Sequence, residues 1–272
     1  AAHGASPGLI DEIVATRGQR NLDSAPAIER SAYERALGGE VVTGLVDVVG
    51  GSLEAGYQRI KLKIRPGWDL EPVGAVRRAF GPDVPLQVDA NASYHPSDIG
   101  FLARLDLFDL LMVEQPFAAD RLMAHADLAA AVRTPVCLDE SATSCAVVAD
   151  AIRLRAVDVV NIKPGRVGGF AEAVRMHDLC RAHAVPVWCG GMVETGIGRA
   201  ANTVLAALDG FTLVGDNSPS DRFFAEDVVT RPMAMVDGHL EVPQSPGMGF
   251  EVDRGALAAA TVQQVQLDRS GR

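Results

Sequence analysis

The sequence predicts an α/β fold, a parallel (β/α) barrel, and three observations predict it. Short apolar runs recur, each ending in polar residues. A stretch of helical period follows each run. Run and helix together repeat about every 25 residues from Tyr57 to Asp216. Runs nearly continuous in Val, Ile and Leu suit parallel strands buried on both faces, and the helix between two of them supplies the crossover. An even repeat with no long interruption favours a closed barrel of the TIM type over an open sheet.

Taken in order, Ala1–Gly8 is flexible in composition, and Leu9–Gly18 and Ala25–Leu37 read as two helices. A full barrel needs a strand ending one interval before Lys63, near residue 38. Only Val41 and Val42 look strand-like there, so the first strand is weak or missing. Strands are then expected over 57–64, 84–91, 110–116, 135–141, 159–165, 186–192 and 211–216, with helices at Asp69–Phe80, Arg121–Arg133, Ser144–Leu154, Phe170–Ala184 and Ile197–Leu208. In Phe170–Ala184 the apolar Ala173, Val174, Met176, Leu179 and Cys180 cluster around one face. Met233–Pro243 reads as a hairpin turning at Asp237-Gly238. The tail after Gly255 reads as a solvated helix with a frayed end. Three regions result: 1–40, a barrel over 41–232 that carries the active site, and a C-terminal hairpin and tail over 233–272.

Composition narrows the function. At 272 residues, 48% hydrophobic and 22% charged, the chain buries a full core and is not a disordered segment. Its net charge of −10 has the wrong sign for a duplex-binding domain. No apolar run approaches the ~18 residues of a membrane span, and the first residues lack a signal-peptide pattern. Cys137, Cys145, Cys180 and Cys189 have no metal-like spacing and read as reduced residues of a cytoplasmic protein.

In a barrel the C-terminal strand ends converge on the active-site face, however far apart they lie in sequence. Those positions carry Lys61 and Lys63, Asp89 and Asn91, Glu114, Asp139 and Glu140, Lys163, and Asp216. From Lys63 to Lys163 the steps are 26, 25, 25 and 24 residues, one ionisable group on each of five consecutive strands. Asp89, Glu114 and Asp139 aimed at one space cannot all stay ionised without a counter-charge. A divalent cation is the simplest supply, and all-oxygen ligation suits Mg²⁺ or Mn²⁺. Lys61 and Lys63 share one face of their strand, where mutual repulsion is expected to lower their pKa values and leave one neutral as a base.

The motifs IKLKI, QVDAN, VEQP, CLDES, NIKPGRVGG and PVWCGGMVETGIGRAAN together resemble the enolase superfamily, in the branch of o-succinylbenzoate synthases and N-acylamino acid racemases. The resemblance runs from about Leu45 to Val252. It implies that Asp89, Glu114 and Asp139 hold the metal and that Lys63 and Lys163 are acid and base on opposite faces of the substrate. Lys61, Asn91 and Glu140 would support them, and Gly191, Met192 and Asp216 would contact the substrate. A lysine base with magnesium is the arrangement known for enolase-superfamily sites, so here it comes from the resemblance. The implied reaction is removal of the proton α to a carboxylate, in the dehydration of menaquinone biosynthesis or in racemisation. The family begins with an α+β capping domain whose loops close over the site. Residues 1–40 resemble only its end, so a truncated cap and a weak catalyst are expected. A barrel short of one strand leaves the edges of 57–64 and 211–216 unpaired, and association of identical chains follows from that.

Two alternatives stand beside this. Gly196-Ile-Gly198-Arg-Ala-Ala201 follows a strand, opens a helix and has Asp216 twenty residues on, which fits the dinucleotide fingerprint of an NAD-binding oxidoreductase. Five βα units before it and 56 residues after Asp216 fit poorly with that fold. A non-catalytic barrel remnant is the other, and the intact set of five site residues opposes it.

Overall fold

The computed structural model describes Val14–Ala15, Val41–Glu54, 57–236 and 238–265. Six parallel strands follow one another in strict sequence order: β2 (Ile60–Lys63), β3 (Leu86–Asp89), β4 (Val113–Glu114), β5 (Val136–Leu138), β6 (Val159–Ile162) and β7 (Val187–Cys189). Together they form a curled arc of a barrel. β1 (Val14–Ala15) lies antiparallel on β2, with Val14 opposite Lys61 and Ala15 opposite Ile60. That pairing covers the edge expected to stand open. It also places a strand where a helix over Leu9–Gly18 is expected. Ala25–Leu37 lies outside the described residues.

Helices α2 (Leu70–Phe80), α3 (Leu122–Ala131), α4 (Cys145–Leu154) and α5 (Phe170–Ala182) make four of the five crossovers, short helical turns over 96–108 make the β3–β4 step, and α6 (Gly196–Ala206) follows β7. Their starts follow from local chemistry. The Asp69 carboxylate accepts the Leu70 N–H at 2.7 Å, and the Ser144 hydroxyl accepts the Val147 N–H at 3.3 Å. Each satisfies a donor that the first helical turn leaves free.

Among the described residues the first strand, expected weak or missing, does not form at Val41 and Val42, and neither does the strand expected over 211–216. Val41 and Val42 begin α1 (Val41–Glu54), a helix rich in Val and Gly. Tertiary packing overrides that poor propensity. Val49 is fully buried, and Leu45, Val46, Val48 and Leu53 pack on the same core. Gly50 of α1 lies against the Phe80 ring of α2, which a Cβ there would meet at the ordinary contact distance of 3.4 Å. Residues 211–216 run beside β7 without forming a strand. Leu213 and Asp216 reach the Val187 and Cys189 carbonyls only at 3.5 and 3.4 Å. A Cβ at Gly215 would lie 2.8 Å from the Cys189 carbonyl oxygen, too close an approach for a regular ladder.

Outside the strands, one core cluster joins β2–β4 to α1, α2 and α3 through Val49, Ile60, Leu62, Val73, Leu86, Val88, Val113 and Leu128. A second joins β5–β7 to α4–α6 through Leu138, Val148, Met176, Val187 and Leu205. The expected hairpin forms as β8 (Met235–Val236) against β9 (His239–Leu240), with Asp237 outside the described residues. The tail helix α7 (Arg254–Ala260) is capped by Asp253 and buries none of its residues. Among the described residues no helix is long and apolar enough to cross a membrane.

Candidate active site

Alternation along the strands sends Lys61 and Lys63, Gln87 and Asp89, Glu114, and Asn161 to the inner side of the arc, where their side chains meet. Register sets the levels. Lys63 pairs with Asp89 and Asp89 with Glu114, so one rung crosses β2, β3 and β4. Asp139 and Lys163 come one residue after β5 and β6. The structure thus gathers the five spaced residues at the C-terminal end of the sheet.

Lys61 is the electrostatic hub. Its Nζ lies 3.3 Å from Asp89 Oδ2, 3.4 Å from Glu114 Oε2 and 3.1 Å from Asp216 Oδ2, with 4% of its side chain exposed. Burial alone would lower its pKa, but Glu114, Asp216 and Asp89 hold it well above the ordinary lysine value. This corrects the expectation of a pair of lysines that depress each other: three carboxylates outweigh one neighbouring ammonium. Lys61 is a fixed cation. Asp89 is raised by burial, yet Lys61 and Lys63 outweigh this and hold it below the ordinary range. Asp216 behaves alike, lowered chiefly by Lys61 and Lys163.

Glu114 differs. Burial and the charge of Asp89 push it up to about 8, more than Lys61 and Lys163 pull it down. Its oxygens accept from Asn161 Nδ2 at 2.8 Å and from Gln87 Nε2 at 3.2 Å. It is a carboxyl short of positive charge, flanked by two more oxygen-donor acids, and that donor chemistry fits a hard divalent cation. Among the described residues no three His, Cys, Asp or Glu side chains are grouped so as to hold an ion by themselves. Ammonium and guanidinium groups lie against oxygens of all three acids.

Lys63 Nζ donates to Asp89 Oδ2 at 2.8 Å and to Asn91 Oδ1. Asn91 in turn donates to Glu140 Oε1 at 2.9 Å. On the other flank Lys163 Nζ donates to Asp139 Oδ2 at 2.8 Å, and Arg166 donates to Asp139 Oδ1. Burial lowers the pKa of Lys163, but Asp139, Asp216 and Glu114 raise it further, so this group is an ammonium. Gly191 donates its N–H to Asp216, whose other oxygen takes Lys61. Met192 is half-exposed in the loop after β7.

Sequence reasoning passed over Arg59, Gln87, Asn161 and Arg166. The first three stand two residues before Lys61, Asp89 and Lys163, and period-two alternation is the signal that could have found them. Arg59 stacks on Trp188 at 4.6 Å. The dinucleotide fingerprint is explained by packing. The Gly196 N–H is taken by Asp227 Oδ1 at 2.8 Å, and Cβ atoms at 196 and 198 would lie 2.5 Å from Val229 and 2.8 Å from Glu194. Asp216, the ribose-binding acid of that reading, is held by Lys61 inside the arc. His177 stacks on Phe211 with centroids 5.3 Å apart.

Residues 45–256 match the family described as enolase C-terminal domain-like. The chain is 59% identical over 228 residues to an N-succinylamino acid racemase of Amycolatopsis, covering 84% of this chain and 62% of that protein. It is 47% identical over 213 residues to an o-succinylbenzoate synthase of Geobacillus kaustophilus, covering 78% and 56%. A solved structure of an unknown enolase-superfamily member from Enterococcus faecalis superposes with a TM-score of 0.77 at 42% identity, covering 81% of this chain and 59% of that one. The chain thus spans little more than half the length of such relatives.

Proposed function

The chain belongs to the enolase C-terminal domain-like family, and from that premise we propose that it removes the proton α to a carboxylate, as o-succinylbenzoate synthases and N-acylamino acid racemases do. One observation carries this reading. Two lysines, Lys63 and Lys163, flank a row of buried carboxylates at one end of the sheet, each bonded to a different acid.

A carboxylate's α-proton is too weakly acidic for a free amine, so the charge left behind must be neutralised where it appears. Asp89, Glu114 and Asp139 are the residues that would hold Mg²⁺ or Mn²⁺, which when bound supplies that neutralisation. Everything else falls to the chain itself. Lys163, an ammonium, is set to deliver a proton to one face of the α-carbon. Lys63, fixed by Asp89 and Asn91, faces the other and takes or returns the second proton. Lys61 stays charged and balances Asp89, Glu114 and Asp216. Racemisation uses both lysines as acid and base, whereas dehydration uses one to remove the proton and the other to balance charge.

The similarity to an N-succinylamino acid racemase makes an N-succinylamino acid the first substrate to try. In deuterated water with Mg²⁺, Lys163→Ala should stop α-proton exchange from one enantiomer and spare it from the other, and Lys63→Ala should do the reverse. Equal residual exchange from both enantiomers overturns the two-base assignment. The same reading places the enzyme in the cytoplasm, acts on a small carboxylate, and expects copies of the same chain as partners.

A further inference from the structure

We propose that Gln115 is the positioning residue of this site, fixing the carboxylate-bearing ends of β3, β4 and β5 relative to one another. The proposal rests on the reading above, in which those carboxylates together hold a divalent cation.

Gln115 follows Glu114 directly and is fully buried. Its Oε1 accepts two backbone N–H groups of the next strand end, Asp139 at 2.9 Å and Ser141 at 3.1 Å. Its Nε2 donates to Ser141 Oγ at 2.7 Å and to the Phe117 carbonyl at 2.8 Å. Backbone N–H groups only donate and a carbonyl only accepts, so the amide has one orientation here and its capacity is filled. The main chain of the same residue completes the clasp. Its N–H donates to the Cys137 carbonyl at 2.8 Å, and its carbonyl accepts the Ala92 N–H at 2.7 Å. Ala92 belongs to the turn after Asp89, where the Asn91 N–H donates to Asp89 Oδ1 at 3.0 Å.

Gln115 thus bonds forward to the turn of Asp139 and back to the turn of Asp89 while carrying Glu114 on its own N-terminal side. The backbone bears the strain of this arrangement. Gln115, Asn91 and Ala92 have φ of 39°, 40° and 61°, a region costly for residues with a Cβ. Only an amide of this length supplies both an acceptor for two N–H groups and donors for a hydroxyl and a carbonyl. A carboxylate would face the Phe117 oxygen, and a thioether would leave two buried N–H groups unpaired.

The test is Mg²⁺ titration by calorimetry together with hydrogen exchange at the Asp139 and Ser141 amides. Parent, Gln115→Met and Met176→Ala are compared, Met176 being a core residue of α5. Gln115→Met is expected to bind Mg²⁺ at least tenfold more weakly and to exchange those two amides at least tenfold faster. Met176→Ala, destabilised elsewhere, should keep the parent's affinity. A folded Gln115→Met with parental affinity and protection overturns the proposal, and so does an equal loss of affinity in Met176→Ala. Should Gln115→Met fail to fold, Ser141→Ala removes one acceptor of the amide and is expected to lose several-fold in affinity. Unchanged affinity there overturns it. If the parent binds no Mg²⁺, the cation reading fails by itself, and exchange at Asp139 and Ser141 still decides whether Gln115 holds this turn.

Discussion

Single residues on this chain take their properties from how many opposite charges and donors surround them. Lys61 meets three carboxylates and remains an ammonium, although a K-x-K strand read alone suggests a depressed lysine. The difference is one of counting: sequence displays the neighbouring lysine, while only the folded arc brings Asp216 from 155 positions away. Asp106 shows the same rule in the opposite sense. Burial raises its pKa, but the N–H groups of Arg133 and Thr134 and the Thr134 hydroxyl, at 2.8–3.0 Å, hold it below the ordinary carboxylate value. A depressed folded value means that the native state prefers the ionised form. Its contribution is therefore complete above the ordinary value of 3.8 and is lost as pH falls through the lowered one. Asp106→Ala should cost about 2 kcal/mol at pH 7 through the unpaired donors. The gap between the denaturant midpoints of parent and variant should narrow as pH falls through the lowered carboxyl value, where Asp106 takes up its proton. A gap that stays constant with pH would assign the cost to packing.

At the scale of elements, much was legible because strand ends and helix starts carry their own chemistry. The ~25-residue spacing, the helix starts at Asp69 and Ser144, and the apolar runs of β2–β7 are local signals, and the structure keeps them. α1 was hidden because VVTGLVDVVGG is built of poor helix formers, and only the core beneath Val49 makes it a helix. The stretch 211–216 was misread for the opposite reason: FTLV looks like a strand, but Gly215 sits against the Cys189 carbonyl. Glycine also sets the fit between β6 and β7. A Cβ at Gly190 would fall 2.3 Å from Asn161 Oδ1 and 2.5 Å from Lys163 Cε. The end of β7 must be bare for Lys163 to keep its place. Gly190→Ala is expected to cost about 1–3 kcal/mol, as overpacking does. It should also cut α-proton exchange by at least tenfold in protein that remains folded. Parental exchange rates would show that Lys163 has room that the geometry denies it.

Across the whole molecule, the two core clusters divide the arc into a β2–β4 half and a β5–β7 half, and the question is whether they melt as one. Three features join them. Val136 and Leu138 stand two apart on β5 yet belong to different clusters. Met112, Cys137, Val159 and Trp188 form a third cluster that crosses the division. The polar bonds run across as well, from Lys61 on β2 through Glu114 on β4 to Asn161 on β6. Losing either half would strand these buried charges and amides without partners, at several kcal/mol for the set. A single cooperative transition is therefore expected. Leu128 is fully buried in the first cluster, while Trp188 lies on β7 beyond the second. In a Trp68→Phe background, where Trp188 is the sole tryptophan, Leu128→Ala should lower stability by about 2–5 kcal/mol. The Trp188 fluorescence midpoint should then fall by as much as the midpoint of far-ultraviolet circular dichroism, as two-state unfolding requires. If the fluorescence midpoint stays at the parental value while the dichroism midpoint falls, the halves unfold separately, and the charged network does not bind them into one cooperative unit.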